Sequence, residues 1–87
     1  MDKSIDELRQ EITQIDRELI ALMARRQVVA LQIGEYKRKH GLAVFDPERE
    51  AFLKGVHEQV CCENNLAPHV AARVFDVLIE ESRKVQQ

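Results

Sequence analysis

Glycine and proline are scarce, three and two respectively in 87 residues, and no alternating run of β-branched residues competes with helix, a profile that suits an all-helical protein. Cysteine is as rare. Cys61 and Cys62 are the only two, and adjacent positions in a predicted helix suit neither an ordinary disulfide nor a two-ligand metal site, so they read as small apolar filler. His40, His57 and His69 share no helical face, which argues against a metal centre. No run of about 18 apolar residues is available to cross a membrane. The start, Met1-Asp2-Lys3-Ser4, lacks the apolar core of a signal peptide, so a cytoplasmic location is expected. A strong charge of one sign is missing too. With 13 basic and 15 acidic residues the net charge is -2, which predicts neither nucleic acid nor an anionic membrane as partner, and leaves local positive charge to serve a small anion.

What the chain does have is one long amphipathic stretch from Ser4 to about Lys39. Its apolar residues fall at Ile5, Leu8, Ile12, Ile15, Leu19 and Leu22, then Val29, Ile33 and Tyr36, alternating by three and four along one helical face. Arg26 interrupts that stripe, placing a guanidinium where packing asks for Val or Leu. A helix of about 35 residues is a rod of roughly 50 Å, whereas a compact chain of this size has a radius of gyration of about 12 Å. Such a rod does not fit inside a globular monomer. A single domain spanning residues 1–87 is also near the size at which a lone chain struggles to bury enough apolar surface. A symmetric homodimer with long helix against long helix is therefore expected.

Ser4 with Glu7 three residues later forms a capping-box arrangement, and Gly41 follows the basic last turn Lys37-Arg38-Lys39 as a C-terminal stop. Asp46-Pro47-Glu48-Arg49-Glu50 opens a second helix, with Asp46 as N-cap and Pro47 at the first helical position, running to about Cys62. Phe52, Leu53, Val56 and Val60 supply its apolar face, slightly weakened by Gly55. Glu63 to Pro68 is a turn, with asparagines that tolerate left-handed backbone. A third helix starts at Pro68 without a side-chain cap at Ala67 and carries Ala71, Val74, Phe75, Leu78, Ile79 and Val85 on one face. Ser82 falls within that stripe and Gln86 at its edge, in a last turn that frays unless packing pins it.

The polar intrusions carry the functional signal. Arg26 and Lys37 share a face of the long helix about three turns apart, or some 16 Å. Arg9 is too far up the same helix to join them within one chain, but an antiparallel partner helix delivers it. Glu50 lies at the start of the second helix, and Ser82 and Gln86 are one turn apart on the third. Each residue alone has a plainer explanation. Arg26 suits a buried ion pair or a register-setting polar seam; Arg9 and Lys37 suit snorkelling surface cations; Asp46 is first an N-cap, and Arg49 a helix-surface partner of neighbouring Glu residues. Ser82 and Gln86 near a C-terminus are ordinarily solvent-facing.

Taken together and in order, Leu8-Arg9-Gln10-Glu11-Ile12, Ala24-Arg25-Arg26, Gly34-Glu35-Tyr36-Lys37, Asp46-Pro47-Glu48-Arg49-Glu50 and Ile79-Glu80-Glu81-Ser82 followed by Gln86 resemble the small, intertwined all-helical chorismate mutases over essentially the whole chain. The resemblance implies an intertwined homodimer acting on chorismate, with no metal and no cofactor. It implies that Arg26 and the partner's Arg9 grip the substrate's two carboxylates, with a further hydrogen bond from Ser82. Lys37 and Gln86 would donate to the ether oxygen of the breaking bond, and Glu50 would hold the ring hydroxyl. Asp46 and Arg49 would shape the helix start around that hydroxyl and the ring, and Ile33 and Ile79 would close the apolar walls. The reaction, chorismate to prephenate, is a unimolecular pericyclic rearrangement on the route to phenylalanine and tyrosine, and it needs no nucleophile or general base. Two rivals are an isochorismate pyruvate lyase of the same fold, against which Glu50 argues, and a non-catalytic helical dimerisation module.

Overall fold

Ser4 starts the first helix: its backbone is extended and its Oγ accepts a hydrogen bond from Glu7 N at 3.1 Å, satisfying one of the free donors of the first turn. From there α1 runs unbroken over Ile5–His40, with Asp6 and Glu7 at its positive end and Lys37 to His40 at its negative end. Gly41 ends it at φ 65°, a left-handed conformation that costs glycine nothing. The Leu42 N–H then reaches back to Lys37 O at 2.8 Å and that of Gly41 to Arg38 O, closing the last carbonyls. The computed structural model describes residues 2–87, which form three helices and no strand.

Asp46 caps α2 (Pro47–Glu63) by accepting from Arg49 N at 3.1 Å, with Pro47 pre-set for the first turn. Asn65 makes the following turn at φ 55°, and Asn64 closes the helix end by donating from its side chain to Val60 O at 2.8 Å. The third helix, α3 (Pro68–Gln86), starts on Pro68 with no side-chain cap from Ala67, as expected from the sequence.

Packing is confined to one end of the molecule. α3 lies against the C-terminal half of α1 and against α2, while the first five turns of α1 project away from both. The shape is accordingly elongated, 58 × 23 × 16 Å, and the radius of gyration of 16.5 Å exceeds the value of about 12 Å for a compact chain of this length. Among the described residues the buried apolar side chains are Ala30 and Cys61 alone. The stripe Ile5, Leu8, Ile12, Ile15, Leu19 and Leu22 lies exposed along the projecting rod. Apolar surface this continuous on a small chain is the mark of an interface.

The seat for α3 on α1 is made by small residues. Gly34 and Ala30 are one turn apart and both buried, and the backbone of α3 comes so close that a Cβ on Gly34 would lie 2.8 Å from Gln86 Cα. Gly34→Ala is therefore expected to push the last turn of α3 outward. The gain in helix propensity, about 1 kcal/mol, is offset by an overpacking cost of about 1–3 kcal/mol. Thermal unfolding should therefore show no gain in stability over the parent. Gly55→Ala is the matching control. Nothing lies within 4 Å of a Cβ there, so the exposed helix should gain about 0.5–1 kcal/mol.

Candidate active site

Three elements converge on a cavity of ≈ 390 Å³, a size suited to a small ligand. α1 contributes Arg26, Val29, Ile33 and Lys37; the loop and the start of α2 contribute Val44, Asp46, Arg49 and Glu50; α3 contributes Ile79, Ser82, Arg83 and Gln86. Seven of the eight polar residues singled out from the sequence thus share one wall system. The eighth, Arg9, is on the projecting half of α1, exposed and 4.0 Å from Asp6, outside the cavity of its own chain.

At one end Arg26 is tethered rather than free. Its Nη1 donates to Leu78 O at 3.1 Å and to Ser82 Oγ, and Ser82 in turn donates to Leu78 O at 2.9 Å. The stripe on α3 that was expected to be apolar is polar here because it seats the guanidinium. Of five guanidinium protons, only those on one nitrogen are engaged, so the remainder are available to an anion. Ser82 is 9% exposed and Gln86 8%, which overturns the plainer view of both as solvent-facing residues.

At the other end the Lys37 ammonium donates to Val44 O and to Gln86 Oε1, both at 2.8 Å. Two of its three protons are taken, and one remains. Because lysine only donates, its bond fixes the Gln86 amide with oxygen toward Nζ and leaves the Nε2 end as the donor. A third contact secures the terminal turn: Arg38 Nη1 donates to Gln86 O at 3.2 Å. The expected fraying is thus countered by Gly34 beneath Gln86, Lys37 at its side chain and Arg38 at its carbonyl.

Glu50 and Asp46 are the carboxylates of the cavity. Asp46 is committed to its cap on α2, and Glu50 is gripped by Arg83 through two hydrogen bonds. Arg49 also stands over the Phe52 ring, 5.2 Å from its centre. His57 stacks on Phe75 with ring centres 3.8 Å apart and lines the same cavity. Burial, and secondarily the Arg26 charge, hold its pKa below the usual 6.5, so it stays neutral at pH 7. The cavity therefore offers cations and neutral donors from Arg26 with Ser82 and from Lys37 with Gln86, a carboxylate acceptor at Glu50, and apolar walls at Ile33 and Ile79, but no serine or cysteine paired with a base. A site of this class binds and shapes a small anion rather than attacking it.

Sequence reasoning missed four contributors: Gly34, Arg38, His57 and Arg83. Gly34 and Ala30, small residues one turn apart, are a signal of close helix approach that an apolar-stripe count passes over. The partners of the other three lie far away in the chain, and no local spacing announces them.

Comparison with known proteins adds an independent line. The chorismate mutase type II family matches residues 8–87. A chorismate mutase of Methanocaldococcus jannaschii is 30% identical over 87 residues, covering 100% of this chain and 88% of that protein. A bifunctional chorismate mutase/prephenate dehydratase of Buchnera aphidicola is 35% identical over 79 residues, covering 91% of this chain but 20% of the relative, and a T-protein of Haemophilus influenzae is 46% identical over 48 residues, 55% of this chain and 13% of the relative. The chain thus spans most of one relative and only a minor part of the other two. It belongs to the chorismate mutase type II family.

Proposed function

We propose that this chain catalyses the rearrangement of chorismate to prephenate. The observation that supports it most is the pairing of two anchored donor sets, Arg26 on Ser82 and Lys37 on Gln86, at opposite ends of one small cavity. The reaction breaks the C–O bond of the enolpyruvyl ether and forms a C–C bond within the same molecule, so no atom is transferred to or from the protein. Two tasks remain for the site. One is to fold the dianion so that the enolpyruvyl arm lies over the ring, a positioning effect. The other is to stabilise the negative charge that grows on the ether oxygen as its bond to the ring lengthens.

Arg26 serves the first task through its unspent N–H groups, directed to a substrate carboxylate. Lys37, with one proton left, and Gln86, with its amide nitrogen left, serve the second at the ether oxygen. Glu50 accepts from the ring hydroxyl, the substrate's only neutral donor, and Ile33 and Ile79 hold the apolar faces. Arg49 and the Asp46-capped turn of α2 form the rim near that hydroxyl.

The other arginines of the cavity are engaged, Arg83 with Glu50 and Arg49 over the Phe52 ring, so the second carboxylate calls for a further cation. The exposed stripe on the projecting half of α1 supports a homodimer in which two long helices pair antiparallel and the partner's Arg9 enters the site. Gel filtration should give the mass of two chains; a fully helical monomer would overturn this arrangement.

Following the ultraviolet absorbance of chorismate on addition of purified protein tests the activity, with products identified by NMR. Prephenate as the main product is expected. Salicylate and pyruvate from isochorismate would assign the site to lyase chemistry instead.

A further inference from the structure

Arg83 has no role in the account above, yet it makes a two-point clamp on a cavity residue. Its Nε donates to Glu50 Oε2 at 2.9 Å and its Nη2 to Glu50 Oε1 at 3.1 Å, while its Cζ lies 5.4 Å from the centre of the Phe45 ring. These contacts tie α3 to the first turn of α2 and to the loop before it. As a source of stability the pair counts for little, because the two side chains are 39% and 27% exposed and water screens them. What it fixes is direction. A glutamate side chain rotates about three bonds, whereas the planar guanidinium fork holds both oxygens in one plane. It occupies one acceptor site on each oxygen and leaves the others to a donor from the cavity. Both residues, together with His57 and Ile79, also line a second, wider depression of ≈ 660 Å³ between α2 and α3, so the pair belongs to the wall that the two spaces share.

We propose that Arg83 is a positioning residue that sets substrate specificity: by clamping Glu50 it aims the carboxylate at the substrate's ring hydroxyl and creates the preference for a hydroxylated ring. This rests on the mutase reading and on Glu50 as the acceptor for that hydroxyl. Without the clamp the hydroxyl meets a carboxylate spread over several rotamers, and its binding energy no longer separates the natural substrate from one that lacks the group.

The test compares kcat and KM for chorismate and for the analogue carrying hydrogen in place of the ring hydroxyl, in the parent, Arg83→Met, Arg83→Lys and Glu50→Gln proteins. Methionine keeps an unbranched stem beside Phe45 and removes the fork; lysine keeps the charge as a single point. For Arg83→Met, kcat/KM with chorismate should fall about tenfold while the analogue changes less than about twofold, so that discrimination shrinks about tenfold. Arg83→Lys should fall between, and adding Arg83→Met to Glu50→Gln should remove no further discrimination. Equal losses on both substrates, or no loss on either, would overturn the proposal. Circular dichroism checks the fold of each variant, and if Arg83→Met does not fold, Arg83→Lys carries the comparison under the same criteria. A parent protein inert toward chorismate would instead overturn the mutase reading beneath it.

Discussion

Lys37→Ala should lower kcat about 10²- to 10³-fold, the loss of roughly 3 to 4 kcal/mol that follows removal of a preorganised donor at a developing oxyanion. The charge on the ether oxygen grows only as the C–O bond lengthens, so the interaction belongs to the transition state and KM should move far less than kcat. Lys37 is also a structural link, since its ammonium joins Val44 O and Gln86 Oε1. Its removal leaves both acceptors without their partner, at a cost of about 1–3 kcal/mol in stability. The two effects separate in a measurement of kcat and KM below the unfolding transition, with thermal unfolding followed alongside. A fall in stability with kcat unchanged would show that Lys37 holds the loop and plays no part in the reaction. Lys37→Arg is a sharper version. It retains the charge but replaces a compact ammonium between two acceptors with a broad fork, and it should remain well below the parent in kcat.

The helices were legible because their signals are local. Ser4, Gly41, the Asp46-Pro47 pair, Asn65 and Pro68 each act within a few residues, and each does in the structure what its chemistry predicts. The site was legible for a different reason. A guanidinium in an apolar stripe, as at Arg26, or a hydroxyl in one, as at Ser82, is a conflict between pattern and residue, and here the two conflicts resolve each other across α1 and α3. Arg83 produced no such conflict. It stands beside the stripe on α3, where a cation is ordinary, and its partner Glu50 is 33 residues away on another helix. Gly34 was hidden for the opposite reason: its contribution is the absence of a side chain, felt only where the backbone of α3 descends on it. The assignment of Arg9 depends on a second chain altogether, and nothing within one chain gives that residue a partner in the cavity.

Arg26→Ala should reduce kcat/KM by about 10²- to 10³-fold, since a charged hydrogen bond to a buried carboxylate is lost and Leu78 O and Ser82 lose their shared donor. Arg9→Ala should be damaged to a similar degree for the same electrostatic reason, although Arg9 touches no wall of the cavity in its own chain. The two defects should complement. If each cavity takes Arg26 from one chain and Arg9 from the other, a mixed dimer of the two variants has one cavity with both arginines intact and one with neither. Random reassortment after mixing, unfolding and refolding equal amounts makes half the dimers mixed, so about a quarter of all cavities are complete and about a quarter of parental activity should return. An arginine acting within its own chain gives a different count, because every cavity in every dimer then lacks one of the two and nothing is restored. Activity remaining at the level of the separate variants, with dimers confirmed by gel filtration, would show that Arg9 does not enter its partner's cavity. Recovery near one quarter requires the projecting half of α1 to reach across to the other subunit, which is also what its exposed apolar stripe demands.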